Sequence, residues 1–319
     1  MGAEEEEVRT YSELVVRIRV KLLSEMERWV GSFRDAITDL KVPGRPVERK
    51  AARFRGAVGA VDGGSMVIPF ADRLVGVASA LAVRAGGHQY ERRIMEPRIM
   101  LQEDGEEDGA FMDRVDVERE TMVMSLANEV MDSGWADLLI VDGPLIPRPK
   151  YTGEYLYQLG RLLEAAEREG RPVVGFVKRP QSSFLEEFRG TGFMDRAILA
   201  SALEGGQVYP WPPRTHAVKL LELRYTYIKM LDPPLSGVFR LDFPKHLSDD
   251  EVMEVICYLA GSADPQTGVP AILMKADEEV KMGRRLMMEL YRDCFMKVAT
   301  GLDPRLWPPL APRWGEMLW

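Results

Sequence analysis

The sequence predicts an α/β protein in which helices cover a mixed β-sheet. Closely spaced strand-like runs open the central part of the chain, at residues 57–62, 66–70 and 74–83. Glycine pairs follow these runs and favour hairpin turns at 63–64 and 85–87. Helical patterns then alternate with buried-strand patterns, at 112–132, 137–142, 153–169 and 171–178. A meander followed by strand–helix–strand alternation is typical of a mixed sheet with helices packed on it.

The remaining elements divide the chain into three expected regions. An N-terminal helix is predicted within 10–40, because apolar residues recur there at helical spacing: Leu14, Val15, Ile18, Leu22, Met26, Val30 and Phe33. Late strands and helices are predicted at 224–230, 237–243, 248–260 and 276–299. We therefore expect an N-terminal helix with a proline-broken linker at 1–50, a core at 51–300, and a Pro- and Trp-rich tail without regular structure at 301–319.

Composition restricts the class of protein without identifying a partner. The chain has 319 residues, of which 46% are hydrophobic and 29% charged, as in ordinary globular proteins. No apolar run approaches the ~20 residues that span a bilayer, and the acidic N-terminus does not resemble a secretory signal. Two cysteines and no signal indicate a cytoplasmic, reducing location, and a single asparagine, Asn128, suggests a thermophilic source. The net charge of -8 does not exclude DNA, because a local basic channel can lie on an acidic protein.

Two aspartates are predicted to lie at the ends of neighbouring strands. Asp62 follows the run "AVGAV" and Asp142 follows "LLIV", and each is followed by glycine. Asp-Gly is also a common turn dipeptide, so either residue alone can be a simple turn. If the first and fourth strands are neighbours, however, two carboxylates emerge side by side and require a cation. Carboxylates gathered in this way are typical of sites that cleave phosphodiesters with two metal ions.

Two further carboxylates are candidates for the same site. Glu120 lies at the edge of the apolar face of the helix that precedes Asp142, whereas Glu118 and Glu129 point away from that face. Asp277 shares one face of a predicted helix with Val280, Arg284, Tyr291 and Phe295, whereas Glu278 and Glu279 turn away from that face. A partly exposed glutamate and an acidic first helical turn are the alternative interpretations of these two residues.

The ordered set of motifs resembles the archaeal and bacterial NurA nucleases over residues 55–295. The motifs are "AVDGGS", the helix with Glu120, "LLIVDGPL", "GFVKRPQSSFL", "DRAILASAL" and "GVPAILMKADEEVKM". The resemblance implies an RNase H-like, PIWI-like fold and a manganese-dependent nuclease that degrades DNA 5′ to 3′ and cuts single strands. It further implies a ring-like homodimer that docks on a hexameric HerA-type ATPase during DNA end processing.

The resemblance assigns roles to individual residues. Asp62, Glu120 and Asp142 match metal ligands for two Mn²⁺ ions, with Mg²⁺ as an alternative and Glu118 as a second choice for the helix ligand. Where the family is expected to have Ala-His, this chain has Ala276-Asp277, and an aspartate binds a hard cation but does not act as a near-neutral acid or base.

Several basic residues are candidate DNA contacts. Lys178 and Arg179 match the family's basic pair, with Lys178 neutralising the charge that develops on the phosphate. Arg148 and Lys150 are expected to contact the DNA backbone, although both can be solvated loop charges. Tyr225 and Tyr227 can stack on bases or belong to the core.

Two other functions compete with a nuclease. The segment "DGGS" also resembles the phosphate loop of sugar-kinase and actin-like ATPases, but no second glycine-rich adenosine motif follows, and the chain lacks GxxxxGK[ST]. A non-catalytic DNA-binding or scaffold subunit is the second alternative. Three tryptophans in the tail are candidate anchors for a protein partner: Trp307, Trp314 and Trp319.

Overall fold

The computed structural model describes residues 2–38, 40–48, 54–70, 73–86, 89–232 and 237–300. The helices are α1 (Gly2–Ile37), α2 (Asp108–Asp132), α3 (Glu154–Glu169), α4 (Asp195–Ala202), α5 (Asp249–Gly261) and α6 (Ala271–Thr300). The strands are β1 (Arg45–Pro46), β2 (Val58–Phe70), β3 (Arg73–Gly86), β4 (Gln89–Ile94), β5 (Arg98–Leu101), β6 (Leu138–Asp142), β7 (Val173–Val177), β8 (Gln207–Val218), β9 (Leu221–Lys229) and β10 (Val238–Pro244). The predicted tail at 301–319, with its tryptophans, lies outside the described residues.

The strands form one mixed sheet, as the sequence predicts. Its order is β1-β8-β9-β10-β7-β6-β2-β3-β4, and β5 also pairs with β3. β2, β6 and β7 are parallel neighbours, whereas the outer strands pair antiparallel. The first and fourth predicted strands are therefore adjacent, as the argument from the two aspartates requires. Among the described residues, no helix is long and apolar enough to cross a bilayer.

The prediction of two short strands with a turn at 63–64 is wrong. Residues 58–70 form one continuous strand, β2, which pairs with β3 along its length, including Gly63↔Ala80 and Gly64↔Ser79. The connection between β2 and β3 is at 71–72, outside the described residues. The second predicted turn, at 85–87, falls partly outside them, although Gly86 pairs with Gln89 across that hairpin.

Helices cover both faces of the sheet. Residues of α2, α3 and α4 form one core with inward side chains such as Val61 and Val141. Residues of α5 and α6 form the other core with side chains such as Ala60 and Ile140. Because successive side chains of a strand point to opposite faces, Asp62 and Asp142 lie on the α6 face of the sheet.

The N-terminal helix leaves its apolar side chains largely exposed. Near its C-terminal end, Phe33 and Ile37 pack against the core, and the Trp29 ring lies 5.5 Å from that of Phe193. The preceding apolar residues are about half exposed, including Leu14 at 52%, Ile18 at 56%, Leu22 at 58% and Met26 at 55%. The periodicity predicts the helix, but its apolar stripe does not pack on the part of the chain that the structure describes.

Candidate active site

Asp62 and Asp142 lie next to each other on adjacent parallel strands. The register pairs Val61 of β2 with Val141 of β6, so the two following aspartates stand side by side on the α6 face. Asp62 is 8% exposed. Its Oδ1 accepts a hydrogen bond of 2.7 Å from the Gly63 amide, which orients the carboxylate. β6 ends at Asp142, whereas β2 continues, so the site opens beyond the end of β6.

The glycines after Asp62 allow helices to approach the strand from both faces. A β-carbon at Gly63 would lie 2.6 Å from Cγ2 of Val123 on α2, and one at Gly64 would lie 2.5 Å from Cγ1 of Val280 on α6. Both distances are too short for side chains larger than hydrogen. The glycine pair therefore serves close packing around Asp62 rather than a turn.

Burial and mutual repulsion raise the pKa values of both aspartates. Burial is the larger cause for Asp62, and the Asp142 charge adds to it, so that its pKa rises to about 7. Burial also raises the pKa of Asp142. The Lys178 ammonium donates a short hydrogen bond to Asp142. Burial lowers the pKa of Lys178, but its hydrogen bond to Asp142 and the charges of Asp142, Asp62 and Asp277 together outweigh burial, and the net pKa is raised. The lysine thus partly neutralises a costly pair of carboxylates.

Asp277 approaches the two aspartates from α6. Its charge raises the pKa of Asp62 and of Asp142, and it also acts on Lys178, which shows that the four groups share one region. Its side chain is 37% exposed and accepts a bond of 2.6 Å from Lys281. Because α6 begins at Ala271, Asp277 lies in the second turn of the helix. A favourable interaction with the helix dipole, which acts in the first turn, therefore does not explain the position of this carboxylate.

Glu120 approaches the end of β6 from the opposite face of the sheet. It lies on α2, is 6% exposed, and has Oε2 within 3.5 Å of the position of a β-carbon at Gly143. Its Oε1 accepts a bond from Arg119, whereas Oε2 is buried without a hydrogen-bond partner. Burial raises the pKa of Glu120 despite the nearby Arg119. Glu118 instead pairs with Arg98 away from this edge.

The predicted basic residues lie around the same edge but differ in their partners. Lys150 is bound by Asp113 and Asp116, each at 2.7 Å, which neutralises its charge. Arg148 and Arg179 are exposed. Within the described part of the chain, neither guanidinium makes an ion pair. These two arginines are therefore free to bind an anion.

The oxygen ligands fit a hard divalent cation after a local rearrangement. Among the described residues, no three His, Cys, Asp or Glu side chains converge closely enough to hold an ion as they stand. Lys178 instead supplies the positive charge that adjacent carboxylates need, and the unpartnered Oε2 of Glu120 is a ready ligand atom. Carboxylate oxygens suit Mn²⁺ and Mg²⁺. Release of Asp142 by Lys178 would complete the set, because Oε2 of Glu120 is available while Oε1 stays bound to Arg119.

The structure separates core residues from site residues that the sequence did not indicate. Tyr225 and Tyr227 are 3% and 0% exposed, so they belong to the core and do not stack on bases. Arg119 and Arg240 were not predicted, although both are near the site. A signal for Arg240 was present, because a charged residue within an apolar strand requires a buried partner. That partner is Asp242, at 2.7 Å.

Comparison with known proteins agrees with this architecture. The NurA domain model matches residues 56–282. The NurA nuclease from Sulfolobus solfataricus superimposes with a TM-score of 0.63 at 16% identity, over 89% of this chain and 97% of that one. A NurA structure bound to dAMP and manganese superimposes with a TM-score of 0.55 at 12% identity, over 84% of this chain and 93% of that one. A NurA structure with manganese superimposes with a TM-score of 0.53 at 12% identity, over 88% of this chain and 98% of that one.

The structural matches establish the RNase H-like fold of the NurA proteins, whereas the domain model establishes the family. No curated protein matches the sequence. Since the NurA domain model covers well over half of the chain, the protein belongs to the NurA nuclease family.

Proposed function

We propose that this protein hydrolyses DNA phosphodiester bonds with two divalent ions, Mn²⁺ or Mg²⁺, bound in its 51–300 core. The observation that carries the proposal is the convergence of Asp62, Asp142, Asp277 and Lys178 at one end of the parallel strands. Burying carboxylates together raises their pKa values and costs stability, so the arrangement indicates a site for cations rather than a packing solution. Asp62, Glu120 and Asp142 are the proposed ligands, with Asp277 completing one set.

The side chains around the carboxylates have distinct roles in this proposal. When bound, the ions supply an activated water and neutralise the leaving 3′ oxygen. Lys178, released from Asp142, binds the scissile phosphate and stabilises the charge that develops there. Arg119 holds Glu120 in place through its bond to Oε1. Arg148 and Arg179 contact neighbouring phosphates, and Lys150 joins them only if DNA displaces its aspartate partners.

The finer activity rests on the resemblance to the family. The proposed reactions are 5′ to 3′ exonuclease action on single- and double-stranded DNA and endonuclease action on single strands. The proposed setting is DNA end resection during double-strand break repair, with a hexameric HerA-type ATPase supplying movement. The absence of a GxxxxGK[ST] motif in the sequence is consistent with a separate motor protein.

A homodimer is proposed to use the exposed stripe of α1. This stripe is defined here as Leu14, Ile18, Leu22, Met26 and Val30, which are each 46–58% exposed. A contiguous apolar face of this length is costly in water and is typical of a protein interface. Mass measurement by light scattering tests the proposal, because Leu22→Glu should convert a dimer into a monomer without loss of folding.

The decisive test of the nuclease is cleavage of a 5′-labelled DNA, single- and double-stranded, in Mn²⁺, in Mg²⁺ and in EDTA. Wild type is compared with Asp62→Asn, which keeps the acceptor for the Gly63 amide, and with Asp104→Asn, which removes an 87% exposed carboxylate elsewhere. Metal-dependent cutting that falls about 100-fold or more in Asp62→Asn alone supports the proposal. DNA binding without cutting in any metal would favour the scaffold alternative. The ion pairs of Lys178 with Asp142 and of Arg119 with Glu120 are consistent with that alternative, because they neutralise the carboxylates without a metal ion.

A further inference from the structure

A groove lies between the loops that follow β6 and β7, on the α2 and α3 face of the sheet and beside the candidate active site. It has a volume of about 400 Å³ and includes Pro144, two residues after Asp142, and Arg179, directly after Lys178. That size is at the lower end of small-molecule sites, roughly 300–1,000 Å³. A nucleic acid strand with one phosphate at Asp142 and Lys178 can reach this groove by crossing the ends of β6 and β7, and we call it the β6–β7 groove.

The β6–β7 groove is lined by apolar and aromatic surface. Phe184 and His216 stack there, with ring centroids 4.3 Å apart and an interplanar angle of 23°. The Arg240 guanidinium lies 4.9 Å from the centroid of the Phe184 ring. Burial, aided by the charge of Arg240, lowers the pKa of His216, which favours the neutral form of its imidazole. A neutral ring beside an aromatic one offers a surface for stacking rather than a charge for a phosphate.

Positive charge is available at the mouth of the groove. Arg148 and Arg179 both line it and are exposed. Within the described ranges, no carboxylate forms an ion pair with either guanidinium, in contrast to Lys150. Unpaired guanidinium groups at the edge of an aromatic groove suit a ligand with a flat apolar ring and anionic groups on either side.

Buried carboxylates hold the first wall of the groove in place. Asp242, which is fully buried, accepts bonds of 3.1 Å from the amides of Leu145 and Ile146. Arg240 donates to Asp242 at 2.7 and 3.0 Å and to the Ser182 hydroxyl at 2.9 Å, which ties the two loops together.

The second wall is held in the same way. Asp195 is 0% exposed and accepts bonds from the amides of Phe184, at 2.6 Å, and Leu185, at 3.2 Å. It also accepts a bond of 2.7 Å from the Tyr227 hydroxyl. Both loops are thus fixed before a ligand arrives, which lowers the entropy cost of binding. Such a groove is a built site rather than a chance gap between loops.

We propose that the β6–β7 groove binds one unpaired nucleobase of the DNA strand next to the phosphate being cleaved. The base stacks on His216 and Phe184, and Arg148 and Arg179 bind the phosphates on either side of it. A base within a duplex is stacked and paired, so it enters only after separation from its partner. The groove would therefore select single-stranded or locally opened DNA. This inference rests on the proposed function, whose substrate it specifies.

The test measures binding without cleavage. Fluorescence anisotropy in EDTA follows a 5′-fluorescein 12-nucleotide single strand in which one abasic site is placed at each position in turn. We expect one position at which the abasic site weakens binding to wild type about 10-fold, the usual effect of one stacked base. His216→Ala should weaken binding of the intact strand by a similar factor. In that variant, an abasic site at the same position should weaken binding further by less than about 2-fold.

Matched variants separate stacking from other roles of the histidine. His216→Phe keeps an aromatic ring, so its affinity for DNA should stay within about 2-fold of wild type. If His216 had a polar or structural role instead, His216→Phe would weaken binding as much as His216→Ala. Tyr157→Ala, which removes a 59% exposed aromatic side chain on α3, should have no effect. Thermal unfolding of each variant checks folding.

The outcomes distinguish this inference from the proposed nuclease. The base site would be overturned if the effect of the abasic site persisted in His216→Ala at every position. It would also be overturned if His216→Ala and His216→Phe weakened DNA binding equally. A clear base position in a protein that never cuts DNA would retain the base site and refute the nuclease.

Discussion

Replacing Asp62 by asparagine should change how the stability of the metal-free protein depends on pH. The folded structure raises the pKa of Asp62 from 3.8 to about 7, mainly through burial. The folded state therefore binds a proton more tightly than the unfolded state. Stability from this group is fully present below pH 3.8 and is lost as the pH rises toward 7.

The size of the effect follows from the shift. At 1.36 kcal/mol per pH unit, a rise from 3.8 to about 7 corresponds to about 4 kcal/mol. About 3 kcal/mol of this falls between pH 5 and pH 8, the range in which the protein can be studied without general acid unfolding. Because Asp142 and Glu120 also have raised pKa values, wild type should lose still more stability over this range than Asp62 alone predicts.

Urea unfolding in EDTA at pH 5, 6, 7 and 8 measures the free energy of unfolding. Wild type should lose stability steadily, whereas Asp62→Asn should lose about 3 kcal/mol less and be the more stable protein at pH 8. Asp104→Asn, at an exposed site, should follow wild type. Excess Mn²⁺ at pH 8 should then stabilise wild type but not Asp62→Asn, since ligand binding to the folded state adds to its stability. Parallel curves for wild type and Asp62→Asn in EDTA would refute the argument from burial.

Three further predictions test the surroundings of the site. Lys178→Met should lower the rate of DNA cleavage about 100-fold in single-turnover assays, because the phosphate loses its neutralising charge, and normal rates would remove Lys178 from the mechanism. Gly64→Ala should destabilise the fold by about 1–3 kcal/mol in urea, because its β-carbon would lie 2.5 Å from Val280; Gly160→Ala in α3, where nothing lies within 4 Å, should instead stabilise by about 0.5–1 kcal/mol. Asp242→Ala should cost about 3–5 kcal/mol, because it leaves Arg240 buried without its partner, and unchanged urea unfolding would contradict that role.

Local signals predicted some elements well and others wrongly. Period-2 and helical patterns placed β6, β7, α2 and α3 within a few residues of their observed bounds. The same reasoning missed β8, because Pro210, Pro212 and Pro213 argue against a strand, yet β8 lies near the edge of the sheet with an irregularity between Tyr209 and Arg214. It also misread Gly63 and Gly64 as a turn. Their role depends on helices that come from distant parts of the chain.

What the sequence determined by itself is the strand–helix–strand order from β6 to β7 and the position of Asp62 and Asp142 directly after the apolar runs of β2 and β6. Both follow from short-range periodicity and from the rule that a helical crossover joins parallel strands. The tertiary structure alone decided which charges meet: Lys178 on Asp142, Arg119 on Glu120, and Asp277 beside them from α6. It also decided the β6–β7 groove, whose His216 and Arg240 come from strands far along the chain. Burial, repulsion and stacking depend on distances between segments that are remote in sequence, and no local pattern of residue types records those distances.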